Sequence, residues 1–370
     1  MTPRLPSPRV LMGPGPSSVT PRVLSALGQA PIGYLDPELF ESLDRLRDSL
    51  RHVFVTSNPF TVPLTGTGMA GMESCLANLL EPGDRAVIGV NGFFGGRMAD
   101  IARRLGADVT QVDAVWGQPL EPEAIAAALR ATGPVKLVGC VHAETSTGVE
   151  TPLRPISDLA HAHGALFLAD AVTSLGGMPV DIDSCGVDAC YSGTQKCMGA
   201  PPGLSPITVS ETAVTASANR RVPVASWYFD WSLLRNYYDA PHAYHHTVPV
   251  NLYYALGEAL GEMLEEGLEA RYVRHREVSA YLLASLDELG IKPFAVAGSR
   301  LPTLNAVVIP ESIADEASVR QRLLLEFGIE IGGGLGQLKG KIWRIGTMGA
   351  SATMRNVVLL TSALQQVMRA

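Results

Sequence analysis

From Thr61 to Ala169 the chain alternates short apolar runs with helical stretches, and this alternation restricts the fold more than any other feature. Thr61-Val-Pro-Leu, Arg85 to Val90, Lys136 to Val141 and Ala165 to Ala169 read as strands. Met72 to Leu80, Ile101 to Leu105 and Glu121 to Leu129 read as helices. The later strands are apolar at successive positions, as strands covered on both faces are, so the pattern predicts a doubly wound α/β fold. In such sheets ligands bind beyond the carboxyl ends of the strands. The polar residues at those ends are His142-Ala-Glu144-Thr145-Ser146-Thr147-Gly148 and Asp170-Ala-Val172-Thr173-Ser174.

Between the first strand and the first helix lies Thr65-Gly66-Thr67-Gly68-Met69-Ala70-Gly71. Glycines there let backbone N–H groups close on an anion at a helix N-terminus, which predicts a phosphate cup. Gly66-x-Gly68-x-x-Gly71 also fits a dinucleotide fingerprint and raises a nicotinamide dehydrogenase as an alternative, but the acid that motif needs at the end of the second strand is misplaced. That strand ends instead at Asn91-Gly92, with Phe93 and Phe94 beyond it to cover a flat ring or to pack in the core. Asp170 leaves an apolar strand, so its carboxylate needs a positive partner, either a structural arginine or a protonated ring nitrogen. Shortly after it, Tyr191-Ser-Gly-Thr-Gln-Lys-Cys-Met-Gly-Ala-Pro-Pro-Gly203 is suited to a tight loop around Lys196. Lys196 is a solvated surface lysine or, if desolvated, an amine able to form a Schiff base with an aldehyde cofactor.

The remainder frames these residues. A chain of 370 residues suggests two domains, and 46% hydrophobic with 18% charged residues is ordinary for a globular protein. A net charge of -7 argues against sequence-independent nucleic-acid binding and favours small partners. Prolines occupy the start of the chain, where a signal peptide would be apolar, and no run is long enough to cross a bilayer, so a cytoplasmic protein is expected. Five cysteines without a Cys-x-x-Cys pair read as buried, reduced thiols; Cys197 is a core residue or a nucleophile.

Residues 1–12 read as an extended arm, loose or lying on a neighbour. Asp36-Pro37 opens a helix with the apolar stripe Leu39, Leu43, Leu46, Leu50 and Val53. Trp227 to Trp231 reads as irregular, and His245 and His246 are expected to point to opposite faces of an extended segment, so no metal is expected. Leu252 to Leu289 reads as helix broken near Gly267 and leads to a second domain with strands at Asn305 to Ile309 and Lys341 to Gly346 and a helix at Ser318 to Phe327. Arg344 in that last strand is an edge charge or a grip on a substrate carboxylate.

A glycine cup, a strand-end aspartate and a loop lysine together describe a pyridoxal phosphate site. The chain resembles the class V aminotransferases of pyridoxal-phosphate fold type I, in the alanine:glyoxylate and serine:pyruvate branch. The resemblance runs through Gly13-Pro-Gly-Pro, Thr65-Gly-Thr-Gly, Glu81-Pro-Gly-Asp, Glu144-Thr-Ser-Thr-Gly, Ser192-Gly-Thr-Gln-Lys, Ala200-Pro-Pro-Gly, Tyr244-His-His-Thr and Trp343-Arg-Ile-Gly. It implies a large domain at 13–265 with a mainly parallel, seven-stranded type of sheet between helices, and a smaller C-terminal α+β domain at 266–370. It implies pyridoxal 5'-phosphate linked to Lys196, with Asp170 on the pyridine nitrogen and Val172 on one ring face. Thr67, Gly68 and Gln195 would bind phosphate and Thr145 the region of the ring hydroxyl. Tyr244 and Thr247 would reach the neighbour's phosphate in a homodimer with shared sites. Arg344 would hold the substrate carboxylate, with Gly33 and Tyr34 completing the pocket. Met69 and Phe94 stand where the animal members have a histidine and a tryptophan. The chain also resembles ureidoglycine:glyoxylate aminotransferases, in Tyr228-Phe-Asp-Trp and Lys341-Ile-Trp-Arg-Ile-Gly-Thr-Met-Gly. Those have amides where this chain has Tyr34 and Tyr244, which favours alanine or serine as donor to glyoxylate or pyruvate.

Overall fold

The computed structural model describes residues 7–369. Residues 1–6 of the expected arm lie outside the described residues. A seven-stranded sheet runs in the order Phe60–Thr65, Leu204–Val209, Ala189–Tyr191, Leu166–Asp170, Leu137–Val141, Arg85–Val90 and Asp108–Asp113. Every pairing is parallel except those of Leu204–Val209, which runs antiparallel to both neighbours. Val141, Asp170 and Tyr191 sit opposite one another across adjacent strands, so three strand ends converge on one point.

The helices follow from their caps and stripes. The Asp36 side chain accepts from Glu38 N at 2.9 Å, and Pro37 starts a helix to Phe54. Its predicted stripe, Leu39, Leu43, Leu46, Leu50 and Val53, is buried in the main core. The helix after the glycine stretch is longer than its apolar run, Gly68–Leu79, because glycine and alanine fill its first turn. Similarly, Phe93–Arg104 begins eight residues before the apolar segment at Ile101. Its start is anchored by the buried Glu144 carboxylate, which accepts from Phe94 N and Gly95 N at 3.1 and 3.2 Å.

Beyond Gly267, whose φ of 81° ends the Val250–Glu266 helix, a second helix runs from Leu268 to Glu288. A three-stranded antiparallel sheet follows, and Ile342–Gly346 is its middle strand, between Leu304–Val308 and Gly332–Gly333. Arg344 is therefore paired on both sides and is not an edge charge. Val10–Leu11 runs parallel to Ile329–Glu330, and Met12 is buried in the second core, with Val307, Trp343 and Ile345. No helix among the described residues is long and apolar enough to cross a membrane.

Three local expectations change. Trp231 is not in an irregular segment but begins a helix to Tyr238, capped by the Asp230 side chain on Ser232 N. Cys185 is half-buried, whereas the other four cysteines are buried; all five are free. His245 and His246 do not diverge. The chain bends there, and their Nδ1 atoms lie 2.8 Å apart. Among the described residues no group of three metal-ligating side chains assembles.

Candidate active site

A cavity of about 210 Å³ lies where the strands of Val141, Asp170 and Tyr191 end. Thr67, Gly68 and Met69 form one wall at the start of the Gly68–Leu79 helix. The Thr67 side chain makes no capping bond, so the helix presents its first turn to the cavity without a side-chain acceptor there. Gly68 lets this turn approach closely, since a Cβ would lie 2.9 Å from Val172 Cγ2. Phe94 and Val172 line the cavity, as do Thr145, Gln195 and Lys196. The Gln195 Oε1 atom is buried without a partner.

The Lys196 loop is held by contacts from two distant segments, one at Pro14 to Ser17 and one at Arg271. Ser17 donates N–H to Gln195 O at 2.8 Å and its hydroxyl to Lys196 O at 2.6 Å. Arg271, in the first turns of the Leu268–Glu288 helix, donates to Cys197 O at 2.7 Å and to Gly176 O at 2.8 Å. The Lys196 amine itself donates to Pro14 O. Gly15, at φ 111°, passes so close that a Cβ would lie 2.6 Å from Lys196 Nζ, which explains a glycine at that point. Burial, with the Arg344 charge adding to it, brings the lysine down to about 8. Its amine is still mostly charged near neutral pH, but a far larger share is uncharged than in an ordinary lysine.

Asp170 shifts the other way for the same reason. Burial pushes it up to about 7, opposed by bonds from Val172 N and the Tyr191 hydroxyl, each at 2.8 Å. No arginine or lysine among the described residues lies within 4 Å of this carboxylate, so the structural-arginine reading does not hold. Arg344 is buried too, and burial brings it down to about 10. Its Nε donates to Gly333 O at 2.7 Å, and among the described residues no carboxylate forms an ion pair with it, Glu144 favouring its charge only through space.

Not all predicted residues meet in this cavity. Gly33, Tyr34 and Thr247 line a separate, open hollow of about 360 Å³, and the Tyr244 ring packs on Tyr34 with centroids 5.1 Å apart. Both phenols are exposed, Tyr244 at 58%. Sequence reading assigned no role to Glu144, Tyr191 or Pro14, although each touches the site. A carboxylate three residues past a strand end was the available signal for Glu144. Nothing local pointed to Pro14, whose contact spans the chain.

A mostly parallel seven-stranded sheet with a buried lysine, a buried aspartate and a glycine-lined helix start at its carboxyl edge is the architecture of fold type I pyridoxal-phosphate transferases. The Aminotransferase class-V family matches residues 32–337. The chain is 40% identical to an alanine–glyoxylate aminotransferase from Callithrix jacchus over 98% of this chain and 88% of that one. It is 38% identical to an (S)-ureidoglycine–glyoxylate transaminase from Bacillus subtilis over 97% and 90%. The crystal structure of an alanine–glyoxylate aminotransferase from Nostoc sp. superposes with a TM-score of 0.98 at 44% identity, covering 100% of this chain and 97% of that one. The chain belongs to the class-V aminotransferase family. Because the match includes Gly66 to Gly71, that stretch is part of an aminotransferase and not of a nicotinamide dehydrogenase.

Proposed function

We propose that the protein is a pyridoxal 5'-phosphate-dependent aminotransferase that moves the amino group of L-alanine or L-serine to glyoxylate or pyruvate, as a homodimer with shared sites. The observation that carries this reading is the meeting of Lys196, Asp170 and the Gly68–Leu79 helix start in one cavity. The residues present fit that cofactor. A buried carboxylate lacking a cation suits a ring N–H, and a glycine-lined helix start without a side-chain cap suits a phosphate. When bound, the cofactor supplies a carbonyl to take up the amino group and a protonated ring to draw electrons from the substrate.

The chain's own groups then have defined tasks. Lys196 Nζ would hold the cofactor through its aldehyde carbon, with loss of water, and once freed by the donor amine would be the base placed to move a proton from the substrate Cα. Asp170 would pair with the protonated ring nitrogen, whose positive charge would in turn favour the ionised carboxylate. Val172 and Phe94 would cover the ring and exclude water from it. Arg344, buried and lacking a carboxylate partner, binds the substrate carboxylate. Tyr244 and Thr247, exposed in one protomer, complete the other protomer's phosphate site. The reading divides the chain into an arm at 1–12, a large domain at 13–265 and a small one at 266–370; the two cores support the last two, and Met12 of the arm packs in the second core. The reading includes a cytoplasmic location, which cell fractionation tests.

Tyr34 and Tyr244 present two phenols packed at a tilt where a ureido group would need amide partners, which favours alanine or serine. The test is the absorption spectrum of the purified protein on separate addition of L-alanine, L-serine and ureidoglycine, with no keto acid present. Loss of the lysine-bound cofactor band with alanine or serine supports the reading. Loss with ureidoglycine alone overturns the donor assignment, and a colourless protein that gains no band from added cofactor overturns the cofactor.

A further inference from the structure

We propose that Tyr191 is a positioning residue that holds Asp170 as an aimed carboxylate and so decides how strongly this site prefers a basic ring nitrogen over a neutral ring of the same shape. This rests on the cofactor reading above.

Among the described residues two hydrogen-bond donors reach the Asp170 carboxylate, and they divide its oxygens between them. Val172 N takes Oδ1 and the Tyr191 hydroxyl takes Oδ2, both at 2.8 Å. The backbone donor is fixed by the turn that leaves the strand, so the phenol is the one side chain that both orients and stabilises the charge. The fold gives it no freedom. Tyr191 lies directly opposite Asp170 in the parallel strand pair and is fully buried. Its stem is so close to the neighbouring helix that a Cβ on Gly71 would lie 2.8 Å from Tyr191 Cβ.

The surroundings leave the phenol one part to play. Burial and the Asp170 charge hold its own ionisation well above the ordinary tyrosine range, so it remains a donor. Other groups near Asp170 do not replace it: Glu144 disfavours the carboxylate, and Lys196 favours it only through space. Without the hydroxyl, Asp170 keeps a single donor in a buried site and moves toward its neutral acid, a poor partner for a ring cation.

The test compares two ligands on one protein. Cofactor is removed from the holoenzyme, and either pyridoxal 5'-phosphate or its carbocyclic analogue, with CH in place of the ring nitrogen, is titrated back into wild type and Tyr191→Phe. A hydrogen bond to a charged group predicts that Tyr191→Phe binds pyridoxal 5'-phosphate at least about tenfold more weakly while the analogue is unaffected. With Asp170→Asn as background, Tyr191→Phe should change the ratio of the two affinities no further. An unchanged ratio, whether both ligands weaken equally or neither does, overturns the inference and leaves Tyr191 a packing residue. A wild type that takes up no pyridoxal 5'-phosphate overturns the functional reading itself, and this inference with it.

Discussion

Lys196 and Asp170 depart from their ordinary protonation in opposite directions and for one reason, loss of water. The same physics acts on His275, which is fully buried and brought down to about 3. Its Nδ1–H donates to Arg271 O at 2.7 Å, leaving Nε2 to accept from Gly349 N at 3.1 Å. Because the folded value lies below the ordinary 6.5, the unfolded chain binds more protons between them, so stability is present above 6.5 and is lost as pH falls. His275→Gln keeps an acceptor for Gly349 and should flatten this loss by ~2 kcal/mol between 6.5 and about pH 5, measured by urea unfolding across pH. At the site, Lys196→Ala should cost at least about 100-fold in turnover with the fold retained by circular dichroism. Arg344→Gln should weaken binding of the donor carboxylate by about 2–5 kcal/mol, read as a rise in KM. Unchanged KM would make this arginine a strut for Gly333.

At the scale of elements, the Gly68–Leu79 helix shows what packing demands of a binding turn. Gly71 sits where a Cβ would strike Ser205 Oγ and Tyr191, so Gly71→Ala must tilt the helix start away from the cavity. The expected result is at least about tenfold weaker cofactor binding with a smaller loss of thermal stability, checked by titration and melting. Much of this architecture was legible in sequence. Strands at Arg85–Val90 and Leu137–Val141 followed from unbroken apolar runs, and the Asp36-Pro37 helix from its cap. Asp108–Asp113 was not legible, because an edge strand half open to water alternates polar residues. Leu204–Val209 was masked by Pro206, and the Phe93–Arg104 start by its two glycines. Arg344 was ambiguous since a strand's place in its sheet depends on pairings that no local window contains. The site residues were legible where one strand end or one turn supplied the chemistry. They were not where another segment did, as with Ser17 beneath the lysine loop or Glu144 under Phe94.

At the scale of the molecule, the hollow around Tyr34, Tyr244 and Thr247 lies outside the cavity of Lys196, which motivates the shared-site proposal. If sites are shared, a Lys196→Ala protomer and a protomer carrying Tyr244→Ala with Thr247→Ala fail alone but regain activity when mixed and allowed to exchange. Activity that never returns in a mixture shown by mass spectrometry to contain hybrid dimers would refute the sharing. The path of the N-terminal segment has a consequence in time. Val10 and Leu11 pair with Ile329 and Glu330, while Pro14, Gly15 and Ser17 close over Lys196. The stretch from Val10 to Ser17 thus waits for Ile329 and Glu330, made about 300 residues later, before it can settle. A nascent chain already past Val209 holds every strand of the large sheet yet has an open lysine loop. Catalytic competence should arrive late and abruptly, as the C-terminal strands emerge and draw the beginning of the chain across the lysine.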